Sequence, residues 1–199
     1  MIQNTKLSNE NIGTLFSLVI IAVAVLVCIG WAFGNVGLTS LGAGHVSMKP
    51  ITAICFIVCA TMYITREDVA VYLGGILFAL SNTTLASYAV NNLPPSFLTW
   101  DEDKAQMIDT VTGGVPSILT LVFFTMCSLT VFDEILELRL SRVIKWLSIV
   151  VLLGHAVDVP IMYAYFENYS TGMAIHTAIL FLHVSYLIEL QEEELLTNK

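Results

Sequence analysis

Apolar residues gather into six long runs, at about 13–33, 48–64, 69–90, 115–132, 143–165 and 172–190, separated by polar stretches. The runs are unbroken and do not alternate, which argues against half-buried strands and against the dyad pattern of a transmembrane barrel. A bilayer core takes about 17–25 residues per helix, a length most of the runs reach; the second is short unless its helix starts near Val46. The pattern predicts an all-α, polytopic membrane protein. It is a single integral-membrane domain over residues 1–199, with six transmembrane helices arranged as three outward-facing hairpins.

Composition agrees. Hydrophobic residues make up 56% of the chain and charged residues 12%, and the mean hydropathy is +0.80, outside the ordinary soluble range. The first run does not read as a cleaved signal peptide: Lys6 is opposed by Glu10, the run is too long, and no small-residue cleavage site ends it. With six spans both termini share a side, which carries Lys6, Arg66, Arg139, Arg142, Lys145 and Lys199, whereas the opposite loops hold Lys49 and Lys104. The bias places both termini in the cytoplasm, and the expected location is the bacterial inner membrane. Sixteen acidic residues against eight basic ones argue against a nucleic-acid partner. The expected partners are the bilayer and either a second copy of the chain or a separate signalling or membrane protein. Cys28, Cys55, Cys59 and Cys127 lie inside apolar runs and read as small packing residues.

One short signature occurs twice. Met48-Lys49-Pro50-Ile51-Thr52-Ala53-Ile54-Cys55-Phe56 and Met173-Ala174-Ile175-His176-Thr177-Ala178-Ile179-Leu180-Phe181 share Met, Thr-Ala-Ile and Phe in register. Each opens an apolar run and follows a late glycine of the previous run, Gly30 or Gly154. Met48, Thr52, Met173 and Thr177 form a helix-packing signature, the threonines returning hydrogen bonds to backbone or to a neighbouring helix. A degenerate middle copy reads as Gly113-Gly114-Val115-Pro116-Ser117-Ile118-Leu119, with Pro116 set against Pro50 and the hydroxyl of Ser117 one position early.

Candidate chemistry lies near the same level. Asp158 is the acidic residue well inside an apolar run, and His155 precedes it by three positions on one helical face. His176 enters on the next helix, and Lys49 opens the first signature. Lys49, His155, Asp158 and His176 are therefore the candidate ligand or ion pocket, with His45 and Asp109 near the first and middle copies. No catalytic residues and no cofactor are expected, because no nucleophile triad, phosphate loop or Cys-x-x-Cys motif is present. A haem or metal at His155, His176 or His183 is the alternative. Trp31, Tyr88, Trp100, Tyr163, Tyr165 and Tyr169 are expected in an outer aromatic belt, and Tyr63, Tyr72, Trp146 and Tyr186 in an inner one.

Gly154-His155-Ala156-Val157-Asp158-Val159-Pro160 through Met162-Tyr163, followed by Ser170 to Phe181, resembles the last hairpin of MASE-like integral-membrane sensor modules of bacterial histidine kinases and diguanylate cyclases. Gly30-Trp31-Ala32-Phe33-Gly34 and Ser47 to Phe56 are similar to their first hairpin. The resemblance implies a non-enzymatic input module without its own catalytic domain. A stimulus at the outer face or within the membrane shifts helix packing, and the last helix carries the shift inward through Tyr186 to Leu196, a stretch without a helix breaker. The alternative function is a small transporter or an accessory subunit of a membrane complex.

Overall fold

The computed structural model describes residues 9–40, 46–91, 116–132, 134–159 and 172–197. Expectations placed on Lys6, His45, the 94–104 loop, Asp109, residues 113–115, Pro160, Met162, Tyr163, Tyr165, Tyr169 and Lys199 fall outside these residues. The described residues contain seven helices and no strand: α1 (Asn9–Phe33), α2 (Val36–Thr39), α3 (Pro50–Met62), α4 (Glu67–Asn91), α5 (Ile118–Leu129), α6 (Glu134–Ala156) and α7 (Ile175–Thr197). Within α1 and α4, Asn11–Phe33 and Glu67–Val90 are long and apolar enough to cross a membrane by length and composition.

Several boundaries differ from the hydropathy pattern. The fifth apolar run, expected at 143–165, belongs to a helix that starts at Glu134 and ends at Ala156. Its first turns mix charge with apolar residues, and the charge sits on the surface: Arg139 and Arg142 are exposed, whereas Ser141 and Ile144 are fully buried. The short α2 was not anticipated. It is permitted by Gly34, whose φ of 65° reverses the chain after α1, and by Gly30, where a Cβ would come within 2.7 Å of the Leu38 Cβ.

The helices form three hairpins, α1–α3, α4–α5 and α6–α7, each pairing a long peripheral helix with a central one. Each peripheral helix packs also against the central helix of the preceding hairpin: α4 on α3, α6 on α5 and, closing the ring, α1 on α7. At the centre Phe56 of α3, Phe124 of α5 and Phe181 of α7 meet pairwise, with ring centroids 4.9, 4.7 and 4.8 Å apart and no exposed surface. The three phenylalanines stand at the same distance from their helix starts, so α3, α5 and α7 run parallel and in register. The arrangement is a pseudo-threefold bundle.

The sequence carries this symmetry throughout. Counting back from Trp31 in α1, Tyr88 in α4 and His155 in α6, the positions four, seven, eleven and fourteen residues earlier are Val27, Thr84 and Val151; Ala24, Ser81 and Ser148; Ile20, Leu77 and Ile144; and Ser17, Gly74 and Ser141. All are buried. The 4–3 alternation is the heptad seam of packed helices, and the small residues at every seventh position let each peripheral helix approach its neighbours closely. Opposite that seam the peripheral helices expose large apolar side chains, among them Leu15, Leu18, Leu26 and Phe33 on α1, Tyr72 and Ile76 on α4, and Trp146 and Leu153 on α6.

Candidate functional site

The C-terminal ends of α1, α4 and α6 and the starts of α3, α5 and α7 lie at one end of the bundle, here the connector end; the turns α3–α4 and α5–α6 lie at the other, the turn end. At the connector end each central helix is preceded by extended backbone that is largely buried, at residues 46–49, 116–117 and 172–174. Buried carbonyls outside a helix need donors, and leaving one unpaired costs about 1–3 kcal/mol. The peripheral helices supply them. The Trp31 indole Nε1–H donates to the Met48 carbonyl at 2.8 Å, the Tyr88 hydroxyl to the Pro116 carbonyl at 3.1 Å, and the His155 Nε2–H to the Met173 carbonyl at 2.8 Å. Three different ring donors thus perform one task at equivalent positions.

These bonds fix the register of the internal repeat. Pro116 corresponds to Met48 and Met173, not to Pro50, so the middle copy is Pro116-x-x-x-Thr120-x-x-x-Phe124 against Met48-x-x-x-Thr52-x-x-x-Phe56 and Met173-x-x-x-Thr177-x-x-x-Phe181. The expected alignment of Ser117 with the signature threonine is corrected: Ser117 is the N-cap of α5, accepting from the Thr120 N–H at 3.2 Å. Thr52, Thr120 and Thr177 are each 2% exposed. The first turns of all three helices close equivalently, Ala53 N to Lys49 O, Leu121 N to Ser117 O and Ala178 N to Ala174 O, at 3.0–3.1 Å. The Pro116–Thr120–Phe124 spacing was legible in the sequence; aligning on proline concealed it.

Lys49 is 4% exposed and its Nζ donates to the Ser47 hydroxyl at 3.3 Å. It lies one position after the signature methionine, in extended backbone at the N-cap of α3; Ser117 and Ala174 occupy the equivalent places and are also buried. His176, on α7, is 8% exposed, and its ring nitrogens have no partner in hydrogen-bond geometry among the described residues, although the Thr39 carbonyl is close enough to act on it. The His155 bond to Met173 brings His155 to the α7 start, three residues before His176. Asp158 stands apart. Helix α6 ends at Ala156, and Asp158 lies in the exposed turn beyond, at a φ of 54°. It was expected inside a helix, on the face of His155, and it makes no ion pair among the described residues. The starts of α3, α5 and α7 and the C-terminal ends of α1, α4 and α6 share this end, so their helix dipoles oppose one another, and Lys49 supplies a buried positive charge there.

The remaining histidine, His183, spends its Nδ1–H on the Ile179 carbonyl at 2.8 Å and stacks near Phe16 of α1. Among the described residues no three His, Cys, Asp or Glu side chains are grouped to hold a metal ion. All four cysteines are free thiols, and Cys59 and Cys127, at equivalent positions of α3 and α5, have their thiols in contact. Three aromatic expectations are corrected, the first two because Trp31 and Tyr88 are buried donors inside the hairpins. Tyr63 is buried as well, its hydroxyl donating to Thr130 Oγ1 at 2.8 Å. Tyr72, Trp146 and Tyr186 are exposed. No family model, curated protein or solved structure matches the chain.

Proposed function

We propose that this chain is a six-span, non-enzymatic input module of a bacterial cytoplasmic membrane, of the MASE-like kind, with the connector end outside and α7 as its output. The membrane reading is supported by the two long apolar helices α1 and α4 and by the apolar surface of the peripheral helices, which a bilayer would cover. The central helices α3 and α5, at 13 and 12 residues, are about 18–20 Å long, shorter than a hydrocarbon core. Their extended lead-in segments are buried in protein and hydrogen-bonded, the condition under which irregular backbone is tolerated at membrane depth. The orientation is supported by Arg66, Arg139 and Arg142, all exposed toward the turn end, against the buried Lys49 at the other.

The observation that carries the signalling reading is the asymmetry of an otherwise threefold bundle. Helices α3 and α5 turn back after Met62 and Leu129, whereas α7 runs on through Thr197. At that level the Gln191 Nε2–H donates to the Tyr63 carbonyl at 2.7 Å, tying α7 to the α3–α4 turn. A second tie, Lys145 to Glu189 at 2.6 Å, holds α7 to α6. A shift in packing at Lys49, His155 and His176 would thus reach the turn end along a helix anchored to its own hairpin partner and to the α3–α4 turn.

The test is a fusion in which α7 continues into a reporter catalytic domain, with one to seven residues inserted after Glu194. Transmission by a rigid helix predicts output that rises and falls with a period of about 3.6 residues, and a shift of that output in Lys49→Gln and His176→Gln. Output indifferent to insertion length would contradict the reading, and a Soret band in the purified protein would favour the accessory-subunit alternative.

A further inference from the structure

At the turn end a cavity of about 540 Å³ opens between the α3–α4 turn, the α5–α6 turn and α7. Its volume falls in the range of small-molecule sites, about 300–1,000 Å³, far larger than an ion needs. Part of the lining is apolar or aromatic, Met62, Tyr63, Val71 and Phe132, and Phe132 is 51% exposed. The rest of the lining is largely polar and acidic: Glu67 from the start of α4 and Glu137 from the first turns of α6, together with Thr65, Thr130 and Gln191. No lysine or arginine lines it among the described residues; Arg66, beside Glu67 in sequence, is turned to solvent and reaches Asp68 at 3.7 Å.

We infer that this cavity binds a primary ammonium group carried on an apolar body. Two carboxylates and no described basic side chain exclude an anion and favour a cation. A primary ammonium offers three donors, matched by carboxylate and hydroxyl acceptors. A quaternary ammonium has no N–H to give to these acceptors. The apolar lining takes the body of the ligand. The chemistry is shared by an ethanolamine phospholipid headgroup and by a soluble arylalkylamine. The lipid source rests on the membrane reading above, since it requires the turn end to lie at headgroup level; the soluble source does not. Because Gln191 lines the cavity while holding the Tyr63 carbonyl, an occupant bears directly on the α7 latch, and occupancy and latch are thermodynamically linked.

The full chain in phosphatidylcholine nanodiscs is titrated with 2-phenylethylamine by equilibrium dialysis. In parallel, lipid retention is counted by native mass spectrometry from mixed phosphatidylethanolamine and phosphatidylcholine discs. Saturable amine binding, preferential retention of the ethanolamine lipid, or both, is expected. Glu67→Gln with Glu137→Gln should weaken it at least about tenfold, the scale of a lost charge-assisted hydrogen bond. Val71→Trp, at a partly exposed position, keeps both carboxylates and should block binding by filling the cavity, while Asp158→Asn, the same loss of charge at the opposite end of the bundle, should leave binding unchanged. Far-UV circular dichroism and melting in detergent report folding of each variant. Absence of both amine binding and lipid preference, binding that survives the double substitution and Val71→Trp, or equal binding of phenylacetate would overturn the assignment. The insertion series on α7 reads out the signalling proposal independently, so either can fail alone.

Discussion

Truncating Phe181 tests the energetics of the pseudo-threefold axis. The ring is fully buried and touches Phe56, Phe124 and, in addition, Phe123 at 4.8 Å. In a micelle or bilayer the excised phenyl surface gains little from leaving water, so the cost is packing rather than hydrophobic transfer. Removing ~100 Å³ of ring at ~24 cal/mol per Å³ of residual cavity gives about 2–3 kcal/mol. Loss of three edge or tilted ring contacts, at the lower end of ~0.5 kcal/mol each, adds about 1.5 kcal/mol. Phe181→Ala should therefore cost about 4 kcal/mol, and Phe56→Ala and Phe124→Ala, with one ring contact fewer, about 0.5 kcal/mol less. Reversible detergent unfolding followed by circular dichroism measures each, and double-mutant cycles measure coupling, expected at 0.5 kcal/mol or more for each pair of rings in contact. Phe33→Ala, with the ring 82% exposed, should change stability by less than about 0.5 kcal/mol. A Phe181→Ala cost no greater than that of Phe33→Ala, or the absence of coupling within the triad, would refute the shared axis.

Trp31→Phe removes the donor to the Met48 carbonyl together with part of a fully buried indole, and should cost at least about 1–3 kcal/mol in the same assay, the penalty of an unpaired buried carbonyl with the void added. Tyr88→Phe should cost about 1–3 kcal/mol through Pro116; stability unchanged in both would remove the proposed role of these donors. Gly30→Ala forces a methyl onto Leu38 and Thr39 and should destabilise by about 1–3 kcal/mol, seen as a lower melting temperature, whereas a neutral result would mean that α2 yields freely. Asp158→Gly should stabilise or leave unchanged, by up to about 1 kcal/mol, because glycine accepts the left-handed φ that an L residue resists. The opposite sign would show a stabilising interaction of the carboxylate.

Helix content and the three-hairpin organisation were legible because long apolar runs and the repeated Met-x-x-x-Thr-x-x-x-Phe spacing survive in sequence. Helix ends were less so. Charged residues on the exposed side of α6, Arg139 and Arg142, disguised a helix whose buried seam, Ser141, Ile144, Ser148 and Val151, keeps its heptad rhythm. Trp31 and Tyr88 were read as interfacial because a ring with a polar tip at a helix end serves equally well in a headgroup layer or against a buried carbonyl. The equivalence of Trp31, Tyr88 and His155 decides between the two, and it becomes visible only once the donors and acceptors are placed. At the candidate site, burial of Lys49 follows from its place in the buried extended segment that precedes α3. Asp158 was misplaced because Ala156-Val157 continues the apolar run past the true helix end.

Closure of the ring by α1 against α7, the contact between the first and last helices, tests the account most directly. In a background with Cys28, Cys55, Cys59 and Cys127 replaced, Phe16→Cys and His183→Cys stand at a site where the native rings have centroids 5.4 Å apart. A short bifunctional thiol reagent should join them rapidly and within one chain, while Tyr72→Cys, on the exposed face of α4, with His183→Cys should not react. Absence of the first crosslink in folded protein, or equal yield from the second pair, would contradict the pseudo-threefold bundle.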